Sequence, residues 1–147
     1  MYGTRKLVSL ARDTRGQSVI EFALVLPLLL VLVFGITEFG RAWMAVNVLT
    51  SAAREGCRLA VVTAPDVAQV RTRVTDVCAA AGIRAAAGPR QVRLTGIDVL
   101  PPDPADPARR TTVTVRADFQ VVTGRILGRF SGTIPLSASA TMRHESL

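Results

Sequence analysis

The sequence predicts an α+β chain: a long N-terminal transmembrane helix that continues outside the membrane, a second amphipathic helix, and a C-terminal antiparallel sheet of about three strands. Three observations carry this. Sixteen residues between Glu21 and Glu38 hold no charge. The chain beyond them keeps small and apolar residues at helical spacing as far as Ala81. From Gln91 onward the apolar period drops to two.

Composition sets the outer bounds. A chain of 147 residues with 49% apolar content suffices for one domain and a modest core. Much of that apolar content sits in the charge-free run. Aromatic residues make up 5%, with one Trp and one Tyr, too few for a surface on which single-stranded nucleic acid stacks. The net charge of +7 is spread out: 14 Lys and Arg are scattered among nine acids from Glu38 onward. Such diffuse charge is ordinarily plain solvation. It is compatible with anionic envelope polymers or phospholipid heads and is a weak pointer to DNA.

The first element follows from length. Sixteen helical residues rise ~24 Å, short of a ~30 Å hydrocarbon core, and flanking apolar residues extend them. Glu38 and Arg41 lie three apart on one helical face, where they can pair near the interface. Trp43 falls where an aromatic belt residue sits. Arg5, Lys6, Arg12 and Arg15 precede the run, opposed only by Asp13, and this asymmetry keeps the N-terminus cytoplasmic. The expected layout is a basic cytoplasmic leader over 1–16, a membrane-spanning helix over 17–46, and an extracytoplasmic α+β domain over 47–147. A cleaved secretory signal competes with this, but the residues after the run, ITEFGRAW, lack a small-x-small cleavage site. Pro27 removes one helical hydrogen bond and predicts a gentle kink.

Glu21 needs an explanation at a membrane threshold. In one reading it snorkels to the cytoplasmic headgroups and pairs with Arg15. In the other, a protease cuts after Gly16, five residues earlier, and frees the amine of Gln17. Glu21 of a neighbouring subunit then neutralises that amine.

The stretch RGQSVIEFALVLPLLLVLVFGITEFGRAWMAVNVLTSAAREGCRLA, with its Glu21-Phe22 pair, Pro-containing Leu/Val run and G-I-x-E-F-G-R exit, resembles the N-terminal half of TadE-like pilus assembly proteins. These are minor pilins or pseudopilins of the tight-adherence (Flp) pilus system. The resemblance implies a prepilin peptidase cutting after Gly16, with Gly16, Gln17, Glu21 and Phe22 as its motif. Gln17 departs from the bulky apolar residue that follows the cut in major type IV pilins, which bears on amine methylation. The implied partners are other pilins, assembly-platform proteins, the peptidase and membrane lipid, with no nucleic acid, small-molecule substrate, cofactor or metal.

Beyond the anchor, Ala52, Gly56 and Ala60 form a small-residue stripe that lets another helix approach closely. The chain's own second helix is the favoured occupant, ahead of a partner's. Arg54, Glu55 and Arg58 form the solvated side. Pro65 stops the helix. The second helix is expected from Asp66 to about Ala81, with Asp66 and Gln69 as a capping box, Thr63 as the alternative cap, and Gly82 as the stop. Val67, Val70, Val74, Val77, Cys78 and Ala81 make its apolar stripe. Cys57 and Cys78 would both lie in an oxidising compartment, so a disulfide and two buried free thiols are both open.

IRAAAGPR is a linker, and QVRLTGIDV alternates with a slip at Thr95-Gly96 that predicts a bulge. PPDPADPARR is a stiff connection. TTVTVRADFQVV turns Val113, Val115, Ala117, Phe119 and Val121 inward. After a turn around Gly124 to Gly132, TIPLSASATMR turns Ile134, Leu136, Ala138, Ala140 and Met142 inward, and Pro135 marks an edge strand.

Chemistry is hard to place here. His144, the only histidine, is three residues from the end, where order is not expected. No Ser-His-Asp, Cys-His, zinc or phosphate-loop constellation emerges, and the acids of DPADP read as turn formers. The expected function is a membrane-anchored minor pilin-like subunit in assembly of a Flp/Tad-type pilus. The alternative is a small binding or inhibitory domain whose apolar segment is a signal peptide.

Overall fold

The computed structural model describes residues 14–63, 66–85, 92–103, 105–106, 108–122 and 132–144. The leader residues 1–13, the helix stop at Pro65, most of the linker and the turn at 123–131 lie outside them, as does the side chain of Arg15. The elements run α1 (Thr14–Thr63), α2 (Val67–Ala80), β1 (Val92–Leu100), β2 (Arg110–Gln120) and β3 (Thr133–Arg143). The chain divides into two compact units, Met1–Phe34 and Gly35–Leu147. In its described part the first unit is helix alone, with Pro27 accommodated inside it. Helix and sheet pack together within the second.

β1, β2 and β3 form an antiparallel sheet in that order. Leu94 pairs with Ala117 and Gly96 with Arg116, so Thr95 is the bulged residue the phase slip predicted. Val113, Val115, Ala117 and Phe119 are buried along one face of β2, and Val121 just past the strand is half-buried. On the opposite face Arg116 pairs with Asp98 and Arg93 with Asp118. Helix α1 lays Ala45, Leu49, Ala52, Ala53, Cys57 and Ala60 over the apolar face at the spacing of one helical stripe. It runs antiparallel to β2: Glu38 bonds beside the strand's end at Val122, and Cys57 bonds at its start by Thr111.

The edges differ. The Leu94 N–H donates to the Arg84 carbonyl at 3.1 Å, so part of β1's outer edge is occupied and the bulge bends the rest. β3 pairs with β2 without a bulge and has no strand on its far side among the described residues. Val121 N–H donates to Gly132 O, and His144 N–H to Arg109 O, at the two ends of the β2–β3 ladder. Antiparallel alternation then assigns β3's even-numbered residues to β2 and turns the main-chain groups of Ser137, Ser139 and Thr141 outward. Pro135, which has no N–H to give, falls in the outward set, as an edge strand requires.

Several local expectations change. Asp66 is the N-cap of α2, extended at φ −61 and ψ 145, but no side-chain cap bond forms; its carbonyl accepts the Gln69 and Val70 amides instead. The capping box is therefore absent. Thr63 closes α1, and the N-cap position of α2 falls to Asp66. Gly82 ends α2 at φ 86, a left-handed position suited to glycine. Val70, Val74 and Cys78 bury the stripe of α2, whereas Ala81 is exposed at its end. Ile134 is 47% exposed, because β3 is the edge strand and the helices cover its inner face only in part. Leu136, Ala138, Ala140 and Met142 are half-buried for the same reason.

Candidate functional site

The N-terminal motif sits in the first turns of α1. Gly16 is the third helical residue, with open space where a side chain would project. No acidic residue stabilises that first turn, and its amides lack intrahelical acceptors. The Gly16–Gln17 bond therefore lies in a lightly held part of the helix. Gln17 Nε2 donates to Glu21 Oε1 at 3.4 Å, one turn along. Phe22 is 61% exposed. Every residue from Gly16 through Thr37 is exposed. Leaving that much Leu, Val, Ile and Phe in water forfeits about 25 cal/mol for each Å² not buried, so this surface belongs in an apolar surrounding. The helix is long and apolar enough to cross a membrane.

The character of α1 changes at Glu38. Its Oε1 accepts the Val122 amide at 2.7 Å, and the Arg41 guanidinium lies 6.0 Å from the Phe119 ring centre. Both charges find partners in the sheet, which their three-residue spacing did not suggest. Phe39 and Trp43, one turn apart, stack at 6.3 Å between ring centres and are 71% and 62% exposed.

Deeper in the second unit the small-residue stripe is a packing surface. Ala52, Gly56 and Ala60 are buried. A Cβ on Gly56 would stand 2.5 Å from Val74 Cγ2 and 3.4 Å from Val113 Cγ1, so the site is filled by α2 and β2 of this chain. Glu55 was expected on the solvated side, yet it is half-buried and gathers two arginines: Arg58 Nη2 at 3.0 Å and Arg73 Nη2 at 2.9 Å. Hydrogen bonds from these guanidiniums pull its carboxyl down to about 2. Arg54 remains exposed.

Cys57 and Cys78 are free thiols, both buried. Cys57 Sγ donates to the Ala140 carbonyl at 3.0 Å, tying α1 to β3. Burial pushes both thiols up, away from the thiolate that redox chemistry needs. His144 is ordered and half-buried, contrary to the sequence expectation: its Nε2 lies 2.9 Å from Thr111 Oγ1 and its amide holds Arg109 O. Nothing local in the sequence signals the Thr111–His144 contact, which register creates. Among the described residues no group of three or more His, Cys, Asp or Glu is placed to hold a metal ion.

An exposed apolar helix, long and apolar enough to cross a membrane, thus leads into a small α+β domain. The family model of TadE-like proteins, a family associated with the Tad pilus, matches residues 16–58, and over that segment the chain is similar to it. The match takes in the Gly16 motif, the apolar run, the Glu38–Arg41 turn and the stripe through Gly56. No curated protein and no solved structure matches the chain.

Proposed function

We propose that this protein is a membrane-anchored minor pilin-like subunit that takes part in assembly of a Tad/Flp-type pilus, with its N-terminus cytoplasmic and its sheet domain outside. The observation that supports this most is the exposed, charge-free helix lying within the TadE-like match. Engagement with the sheet begins at Glu38, so the lipid-crossing part of the 17–46 segment ends near Thr37. Its 21 residues rise ~31 Å, which suits a ~30 Å hydrocarbon core.

Prepilin peptidase is the proposed processing enzyme and Gly16 the proposed cut site. Cleavage leaves the Gln17 amine at the membrane face, with Glu21 available to the amine of a neighbouring pilin. Other pilins and assembly-platform proteins are the proposed partners. Mass of the mature N-terminus in a cell that makes a Tad pilus tests this. A start at Gln17 supports the subunit reading, whereas a start beyond Phe39 replaces it with a secreted module. A reporter active only outside the cytoplasm, fused after Leu147, should work; activity of a cytoplasm-only reporter there overturns the orientation.

A further inference from the structure

The two ends of the sheet domain differ in chemistry. At the end beside Glu38, α1 exposes Phe39, Trp43 and Met44, and β3 exposes Ile134. Val121 and Val122 are only half-buried there. At the opposite end the exposed charged side chains Asp103, Arg109, Arg110 and Arg143 surround the exposed Leu100 and Val62, with Arg110 paired to Asp106. The apolar end is also the end that Glu38 fastens to α1 through the Val122 amide.

We propose that this end of the sheet domain lies on the phospholipid surface, giving the protein a membrane contact besides its spanning helix. The proposal rests on the membrane reading above. Trp and Phe rings favour the headgroup level, where an apolar body and a polar edge are both accommodated. Phe39 follows Thr37 by two residues, so the stacked pair belongs at the boundary where the lipid-crossing stretch ends. Ile134 pairs with Phe119, the residue beneath Arg41, and Val122 is held by Glu38. The sheet end therefore stands level with the first turn of α1 past that boundary. Continuity with the membrane-crossing stretch favours lipid over another protein's apolar face: Phe39 and Trp43 follow Thr37 on the same helix, and their exposed rings stack beside this end of the sheet.

Trp43 is the only tryptophan, which makes the test direct. The full chain is placed in phosphatidylglycerol/phosphatidylcholine vesicles whose acyl chains carry bromine near the headgroups. Trp43→Phe combined with Ile134→Trp moves the reporter to the sheet end, and Trp43→Phe with Thr141→Trp moves it toward the opposite end of β3. The Ile134→Trp protein should lose most of its emission, and the Thr141→Trp protein should keep it. Gln120→Trp, exposed at the same end, gives an independent reading if Ile134→Trp misfolds, and it too should be quenched. Unquenched emission at both 134 and 120, from protein that resists carbonate extraction, overturns the proposal and leaves the spanning helix intact. A docking face for another protein gives that same unquenched result, since these vesicles hold this chain alone. Protein that washes off the vesicles overturns the membrane reading and this inference together.

Discussion

Glu38 Oε1 accepts the backbone amide of Val122 at 2.7 Å, joining the helix to the far end of β2 across 84 residues of sequence. A bond from a part-buried amide to a carboxylate is worth about 2 kcal/mol, and its removal leaves the donor without that acceptor. Glu38→Ala should lower stability by about that amount and speed amide exchange at Val122 selectively. Glu38→Gln, which keeps an acceptor oxygen, should fall between. Unchanged exchange at Val122 in Glu38→Ala would show that the sheet end is held by other contacts.

Gly56 is where α1, α2 and β2 come closest. Gly56→Ala gains about 1 kcal/mol of helix propensity but drives a methyl into Val74, and overpacking of this kind costs about 1–3 kcal/mol. The net effect should be destabilising. Val74→Ala frees the needed space, so the double variant should lose less than the two single losses added. Strict additivity in denaturant melts would contradict the close contact.

Glu55 makes stability depend on acid. Its folded carboxyl lies at about 2 against an ordinary 4.5, chiefly through hydrogen bonds from Arg58 and Arg73. A depressed carboxyl stabilises the fold fully above 4.5 and loses that contribution as pH falls toward 2. Both arginines are more than half exposed, so solvent screening holds the effect to about 1 kcal/mol. Urea melts of wild type and Glu55→Gln should differ at pH 6 and converge by pH 2. A constant difference across that range would assign the loss to packing.

The two thiols should resist alkylation in the folded protein and both label after denaturation without reductant. Labelling of neither under denaturing, non-reducing conditions would reveal a bridge formed in the cell. Cys57→Ser retains a donor for the Ala140 carbonyl, so it should be milder than Cys57→Val, which has none.

Glu21 is exposed on the helix, with Gln17 as its neighbour. Glu21→Ala makes that segment more apolar, so membrane integration should persist while co-purification with other pilins falls. Replacing Gly16 with a bulky residue should instead retain the leader. Reduced integration of Glu21→Ala with all partner contacts intact would make Glu21 a topological anchor only.

What the sequence disclosed was periodic. The Val70–Val74–Cys78 stripe and the alternation of β2 repeat with the period of their own element, and the charge-free run is continuous, so each can be read one segment at a time. The Thr95 bulge was visible because it breaks such a period. Glu38–Val122, Arg41–Phe119 and Glu55–Arg73 were hidden, because each depends on which residue of a distant element arrives opposite. Glu38 and Arg41 illustrate this well: their three-residue spacing says nothing of Val122 or Phe119, the distant residues that each also meets. Ile134 alternates as faithfully as Leu136, and only β3's place at the edge leaves it exposed. The motif at Gly16 and Glu21 was legible as a pattern of residue types, and its neighbours in the helix add only the contact with Gln17.

The outward main-chain groups of Ser137, Ser139 and Thr141 make β3 a template on which another strand can grow. Two copies joined there antiparallel would be related by a dyad normal to the sheet. Because α1 runs along β2, that dyad would send the two helices in opposite directions. Copies inserted into one bilayer with the same polarity have parallel helices and cannot form the pair. If the helix spans the membrane as proposed, tethering bars antiparallel self-association at this edge, a protection that would disappear when the sheet domain is produced without its anchor.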